Sequence, residues 1–290
     1  MKYSKVPSFK SMPLTSEVGK VAARVLAIAE DGTVSASGTC VRIGVGLYLS
    51  AKHVVEDFID SFGQSNLHMN FSIWIVHLYE GPVSECWALT NVWTASNTDI
   101  AVLRAIAHTD GTKSLKGVNT VGLDLSSPPV GDRVVSYGFC KSRGVLEVDT
   151  QGVKLDIWGD PITSVGEVRE IHHQMRDPVL RNFPCFQVNA RFEGGMSGGP
   201  IFSDAGQLCG VVCSGYALDA DDSEAISYGS TLWPALCIPL TVDVQTGSPC
   251  EPYCLLELAN RGLIHVNHAQ RLKAVAIKGG GFSGVYTPAP

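Results

Sequence analysis

Three short segments set a nucleophile, a base and a carboxylate where chemistry could use them. Gly194-Gly195-Met196-Ser197-Gly198-Gly199-Pro200 places a serine among four glycines, directly ahead of the strand-like Ile201-Phe202. A serine hydroxyl is a weak nucleophile, so a reactive one needs an exposed tight turn, a neighbouring base and backbone N–H donors aimed at a developing oxyanion. Glycine supplies backbone conformations that other residues adopt only at a cost. The N–H groups of Gly195 and Ser197 are the candidate donor pair. The same residues are also ordinary punctuation for a turn between strands, so this segment does not decide the matter alone.

A base is available in Tyr48-Leu49-Ser50-Ala51-Lys52-His53-Val54-Val55, where an apolar strand ends in a histidine. Imidazole titrates near neutrality, so His53 can accept the serine proton and later deliver it to a leaving amine. A carboxylate to hold that imidazole in one tautomer is offered by Asn97-Thr98-Asp99-Ile100-Ala101-Val102-Leu103, an acid at the mouth of an apolar strand. An acid so close to a core is costly without a partner, although Asp also opens strands simply as a turn residue.

In the order His, Asp, Ser, two in the first half of the chain and one in the second, these segments resemble the trypsin/chymotrypsin family. They are most similar to the bacterial trypsin-like peptidases of the Deg/HtrA group, with their Gly-x-Ser-Gly-Gly-Pro loop, Ala-x-His-Val-Val run and Asp-Ile-Ala-Val strand. The resemblance spans about residues 35 to 216. It implies an all-β fold of two six-stranded antiparallel β-barrels with the active site between them. The activity implied is a serine endopeptidase in which His53, Asp99 and Ser197 form the triad and Gly195 and Ser197 hold the oxyanion. It further implies that Cys213, Ser214 and Gly215 form the edge that pairs with substrate backbone. Arg191 falls where trypsin-like enzymes set the floor of the specificity pocket, with Phe192 beside it. A buried cation there would favour an acidic substrate side chain, a filled pocket a small one, and an arginine turned to solvent neither.

The chain also departs from the family. Val54 follows His53 where secreted trypsins carry a half-cystine, and Cys40 has no evident mate. Lys52 stands where a small residue is usual. Met196 replaces the Asp that pairs with a freed α-amino group in trypsin-like zymogens, so activation by N-terminal cleavage is not expected. Residues 246–290 are too few for a PDZ-like domain.

The elements that must position these residues read as short strands broken by turn signals: VAARVLAIA, GTCVRIGVGLYLSA, FSIWIVHLY, CWALTNVWT, DIAVLRAIA, DRVVSYGFC, PCFQVNARF, PIFSDAGQLCGVVCSGY and LCIPLTVDV. About a dozen strands with little helix suggest antiparallel barrels or sandwiches. A polar stretch at 108–132 separates two halves. The expected division is an N-terminal extension at 1–16, a first barrel at 17–115, the connection and second barrel at 116–245, and a short C-terminal helix with a flexible tail at 246–290. Helical spacing of Leu255, Leu256, Leu258, Leu263 and Ile264 carries that helix, and GGGFSGVYTPAP is the tail.

The partner that the resemblance implies is a protein or peptide substrate, with a regulatory partner that orders the Gly194 to Met196 loop left open, and composition argues against other classes. A net charge of −6 with scattered Lys and Arg gives no footprint for nucleic acid. No segment nears the roughly 18 apolar residues of a spanning helix, and MKYSKVPSFKSMPLT lacks the apolar core of a signal peptide. Nine cysteines, an odd number lying mostly in strand-like runs, read as reduced buried thiols, so a cytoplasmic location is expected. No cofactor or metal is implied. Cys250-x-x-x-Cys254 with His265-x-x-His268 is too tightly spaced for a zinc finger, and His172-His173 reads as a loop of the second barrel. The contrasting reading of the whole chain is a catalytically silent two-barrel module that binds peptides or serves as a scaffold. An α/β-hydrolase esterase is disfavoured, because its order runs Ser, acid, His.

Overall fold

The computed structural model describes residues 8–14, 16–59, 71–79, 84–108, 118–149, 152–216 and 225–288. Strand β1 spans Ser8–Ser11, and helix α1 (Glu17–Val21) leads into β2 (Ala22–Ala29). Then follow β3 (Val34–Gly44), β4 (Leu47–Ala51), helix α2 (Lys52–Val55), β5 (Phe71–Leu78), β6 (Ser84–Thr94) and β7 (Ile100–Ala107). The last six strands close an antiparallel barrel in the order β2-β3-β4-β7-β6-β5. Alternation explains the closure: Val25, Cys40, Tyr48, Ile75, Val92 and Leu103 point into the barrel and are fully buried.

The second barrel is built from β9 (Arg133–Asp149), β10 (Gly152–His172), β11 (Cys185–Val188), β12 (Pro200–Ser203), β13 (Leu208–Tyr216) and β14 (Ile226–Thr231). Antiparallel pairings run round the ring β12-β9-β10-β11-β14-β13 and back to β12. Phe186, Val188, Met196, Ile201 and Val212 fill it. The architecture is thus all-β with two six-stranded barrels. The strand β8 (Leu123–Asp124), within the 108–132 connection, pairs in parallel with β13.

Several segments differ from the sequence expectation. Within the expected N-terminal extension, β1 joins the second barrel as a further strand on β10, pairing Ser8 with Val165 and Ser11 with Ile162. His172 is not in a loop: it closes β10 opposite Cys185, and His173 begins the bend that follows. The C-terminal helix, α3, covers only Leu255–Asn260, because Gly262 takes φ +72 and turns the chain out of helical geometry. Beyond it β17 (Val266–Asn267) pairs with β8. Part of the expected flexible tail instead forms a strand: β18 (Leu272–Ile277) pairs with β19 (Gly281–Tyr286). Gly279 and Gly280, at φ +102 and +83, make the turn between them.

These C-terminal pieces have a packing role. Together with β15 (Pro239–Val242) and β16 (Pro249–Cys254) they cover a third core, in which Val41, Leu49 and Val102 of the first barrel meet Leu208 and Val211 of the second through Leu236, Leu255 and Leu258. Tyr286 stacks on Trp233 at 5.5 Å and donates its hydroxyl to the Leu125 carbonyl at 2.7 Å, which latches the hairpin onto this core. No helix among the described residues is long and apolar enough to cross a membrane.

Candidate active site

Strand pairing brings His53 and Asp99 together. Ala51, the last residue of β4, is paired with Ile100, the first of β7, so the residues just beyond the two strand ends emerge side by side. The main chain seals that corner: the Lys52 N–H donates to the Asp99 carbonyl at 2.7 Å, and the His53 N–H to Asp99 Oδ1 at 3.3 Å. His53 Nδ1 lies 2.9 Å from Asp99 Oδ2 and 3.1 Å from Oδ1. An ionised carboxylate only accepts, so Nδ1 carries the hydrogen and Nε2 is left with a free lone pair.

Electrostatics favour a basic imidazole. Burial alone would push the His53 pKa down, but the hydrogen bond that it donates to Asp99, the charge of Asp99 and that of Glu56 outweigh it and raise the value above that of free imidazole. The Asp99 side chain is sheltered, at 11% exposure, whereas the imidazole of His53 is exposed at 38% and open to a reactant. Cys213 forms the far wall. Burial together with the nearby negative charge of Asp99 drives its pKa well up, so its thiol stays neutral beside the carboxylate.

Ser197 arrives from the second barrel on the turn between β11 and β12. That turn is tied to both barrels: the Thr39 N–H of β3 donates to the Ser197 carbonyl at 2.8 Å, while Gly198 N–H and Val212 carbonyl, and Val212 N–H and Gly199 carbonyl, pair at 2.8 Å each. Only glycine fits at 198. Its φ is +83, and a Cβ there would run into the Thr39 carbonyl and the Ser50 hydroxyl. The turn therefore packs against the end of β4, two residues from His53. Ser197 Oγ makes no hydrogen bond to the imidazole in this structure, a looseness common in unliganded sites that tighten around substrate.

The loop before Ser197 is equally defined. Met196 N–H donates to the Glu193 carbonyl at 3.0 Å, closing a turn with Gly195 at φ +95. Gly199 N–H donates to the Met196 carbonyl at 2.9 Å. Among the described residues, neither the Gly195 N–H nor the Ser197 N–H is spent on a protein acceptor. Both residues are partly exposed.

The remaining candidates occupy the neighbouring wall. Arg191 forms an ion pair with Glu193 and its guanidinium lies 4.8 Å above the Phe9 ring of β1. Phe192 is buried, with its N–H donating to Ser227 Oγ at 3.2 Å. Ser214 Oγ accepts from Arg181 at 3.0 Å, and Gly215 pairs with Ser227 on β14. Cys213 thus belongs with the carboxylate, while Ser214 and Gly215 continue along the strand. Sequence reasoning passed over two residues: Thr39, bonded to the Ser197 loop, and Glu193, which holds Arg191. Neither carries a motif: Thr39 acts through partners distant in sequence, and Glu193 through the fold of the turn it shares with Arg191 and Met196.

Comparison with known proteins bears on the fold and the family. No curated protein matches the chain in sequence. Among solved structures, the crystal structure of Deg5 superposes with a TM-score of 0.51 at 16% identity, covering 81% of this chain and 94% of that one. The HtrA-type protease AlgW with a tripeptide gives 0.47 at 17% identity, over 74% of this chain and 57% of that one. At such identities the likeness to Deg5 speaks for the fold alone. The trypsin-like peptidase domain, by contrast, matches the sequence itself over residues 36–211. That span is more than half of the chain and carries all three segments that meet where the barrels join: the chain belongs to the trypsin-like peptidase family.

Proposed function

We propose that the protein is a serine endopeptidase that hydrolyses peptide bonds through an acyl-enzyme on Ser197. Ser197 Oγ attacks the scissile carbonyl carbon as His53 Nε2 takes its proton. The carbonyl oxygen becomes an oxyanion held by the N–H groups of Gly195 and Ser197. His53 then passes the proton to the leaving amine and the C–N bond breaks, leaving the ester. Water repeats the sequence, with His53 removing its proton and returning it to Ser197 Oγ as the acid departs. Asp99 keeps Nδ1 protonated throughout and offsets the imidazolium charge. The observation that carries this reading is the Nδ1–carboxylate pair at 2.9 Å beside a serine turn whose two N–H donors are unspent.

Cys213 to Gly215 would pair with the substrate backbone, and the nine free cysteines fit work in a reducing compartment such as the cytoplasm. Turnover of an unfolded protein such as reduced casein tests the activity. Purified wild type should release new α-amino groups and Ser197→Ala should not. Equal cleavage by both would overturn the assignment, and no cleavage by either would favour the silent peptide-binding module.

A further inference from the structure

The oxyanion donors need aiming, and the groups that would aim them are not those of the triad. Three consecutive peptide units run from Gly194 to Ser197. The last, between Met196 and Ser197, is fixed because its carbonyl accepts from Gly199 N–H at 2.9 Å. The middle unit, between Gly195 and Met196, is gripped at both ends: its N–H donates to the Glu193 carbonyl at 3.0 Å, and its carbonyl accepts from Thr39 Oγ1 at 2.7 Å. The first unit carries the Gly195 N–H and has no grip of its own. Its direction follows from the Gly195 dihedrals, and hence from the orientation of the unit after it.

Thr39 is fully buried in β3 of the first barrel, and all four of its polar functions are engaged. Its N–H donates to the Ser197 carbonyl and its carbonyl accepts from Ser50 Oγ at 2.8 Å. Its hydroxyl donates to the Gly195 carbonyl and accepts from the Phe139 N–H of β9 at 3.2 Å. Behind Phe139 the Arg24 guanidinium lies 4.3 Å over the ring and donates to the Gly159 carbonyl of β10 at 2.9 Å, so the partner of the hydroxyl is itself held. Glycine has wide freedom at positive φ. Without the Thr39 hydroxyl the Gly195–Met196 unit could rotate, and a rotated unit turns the Gly195 N–H away from the reacting oxygen.

We propose that Thr39 is a positioning residue for catalysis: a hydroxyl from the first barrel locks the Gly195–Met196 peptide of the second and so aims the Gly195 N–H at the oxyanion. This rests on the serine-peptidase reading above. It assigns to a neutral hydroxyl the ordering that a buried charge pair performs where an Asp precedes the nucleophile, and it suits Met196, whose side chain is wholly buried against Gly138.

The hydroxyl is separable from the shape of the residue. Thr39→Val keeps the volume and removes the donor, and Thr39→Ser keeps the donor and removes a methyl. Thr39→Ala, read in parallel, keeps the test intact should valine alone impair folding. Because one misaimed donor weakens transition-state binding and leaves ground-state binding alone, Thr39→Val and Thr39→Ala should lower kcat by about 10- to 100-fold with KM little changed. Thr39→Ser should stay within a few-fold of wild type. Amide hydrogen exchange supplies a readout independent of turnover: in the valine variant the Met196 and Phe139 amides should exchange faster, with barrel amides such as Val102 unaffected. A valine variant with wild-type kcat, or a serine variant as impaired as valine, overturns the proposal. If wild type itself neither turns over nor acylates, the peptidase reading falls, and unchanged Met196 exchange in Thr39→Val would then separately overturn the lock.

Discussion

The roles assigned to single residues have distinct signatures. Ser197→Ala and His53→Ala should each lower kcat by at least about 1,000-fold, and Asp99→Asn by nearly as much, while thermal unfolding stays close to wild type. The pH profile tests the electrostatics. Only the neutral imidazole accepts a proton, and Asp99 and Glu56 raise the His53 pKa against the opposing effect of burial. Activity should therefore fall as the pH drops through a midpoint above the roughly 6.5 of free imidazole. Asp99→Asn removes the larger raising contributions, so the midpoint of its residual activity should move to lower pH; a midpoint that stays or rises would contradict the assignment. At this scale the sequence was highly legible, since His53, Asp99, Ser197 and the flanking glycines each sit in a distinctive local string. Thr39 and Glu193 were not, because their importance lies in partners more than a hundred residues away or in the fold of one turn.

Among the elements, legibility followed backbone regularity. Strands β2 to β7 alternate or run apolar and are bounded by turn residues, so their existence could be read directly. Strand β10 could not, because Gly159 and Pro161 interrupt it. Gly159 marks a bulge between Trp158 and Asp160, where the register with β9 shifts, and Pro161 follows it opposite Phe139. The C-terminal hairpin was missed for a related reason, as Gly279-Gly280-Gly281 has the composition of a flexible tail although its positive φ values make a turn. Its latch gives a prediction: Tyr286→Ala, which loses the Trp233 stack and the bond to Leu125, should cost about 1–3 kcal/mol in urea unfolding while leaving kcat near wild type. Gly198→Ala should do the reverse in emphasis. Its Cβ would meet the Thr39 carbonyl with φ at +83, a conformation costing an L residue about 1–2 kcal/mol before any clash, and activity should be lost with the geometry of the turn.

For the molecule as a whole, the barrels supply a rigid frame, and the site forms only where their loops and the shared third core bring them into register. The expected number of barrels came from counting strands and from the family resemblance; the packing of the C-terminal segment across both came from neither, since it depends on apolar contacts between elements distant in sequence. Thiol chemistry gives a test at this scale. Cys140 and Cys237 are pushed up to about 12, chiefly by burial, and Cys250 alone is exposed. The native protein should react quickly with a thiol reagent at Cys250 and slowly elsewhere, and nine thiols should appear in denaturant without reductant. A deficit of two or more would show disulfides and contradict the reading of a reducing compartment. The central claim is that the full chain carries a competent Ser197, with the loop ordered by buried contacts around Met196 and Thr39. The direct measurement is mass spectrometry of the protein after reaction with a fluorophosphonate. Our account predicts a single adduct on Ser197 in the uncleaved 290-residue chain, absent from His53→Ala; an unlabelled Ser197, or an adduct found only on chains shortened at the N-terminus, would contradict it.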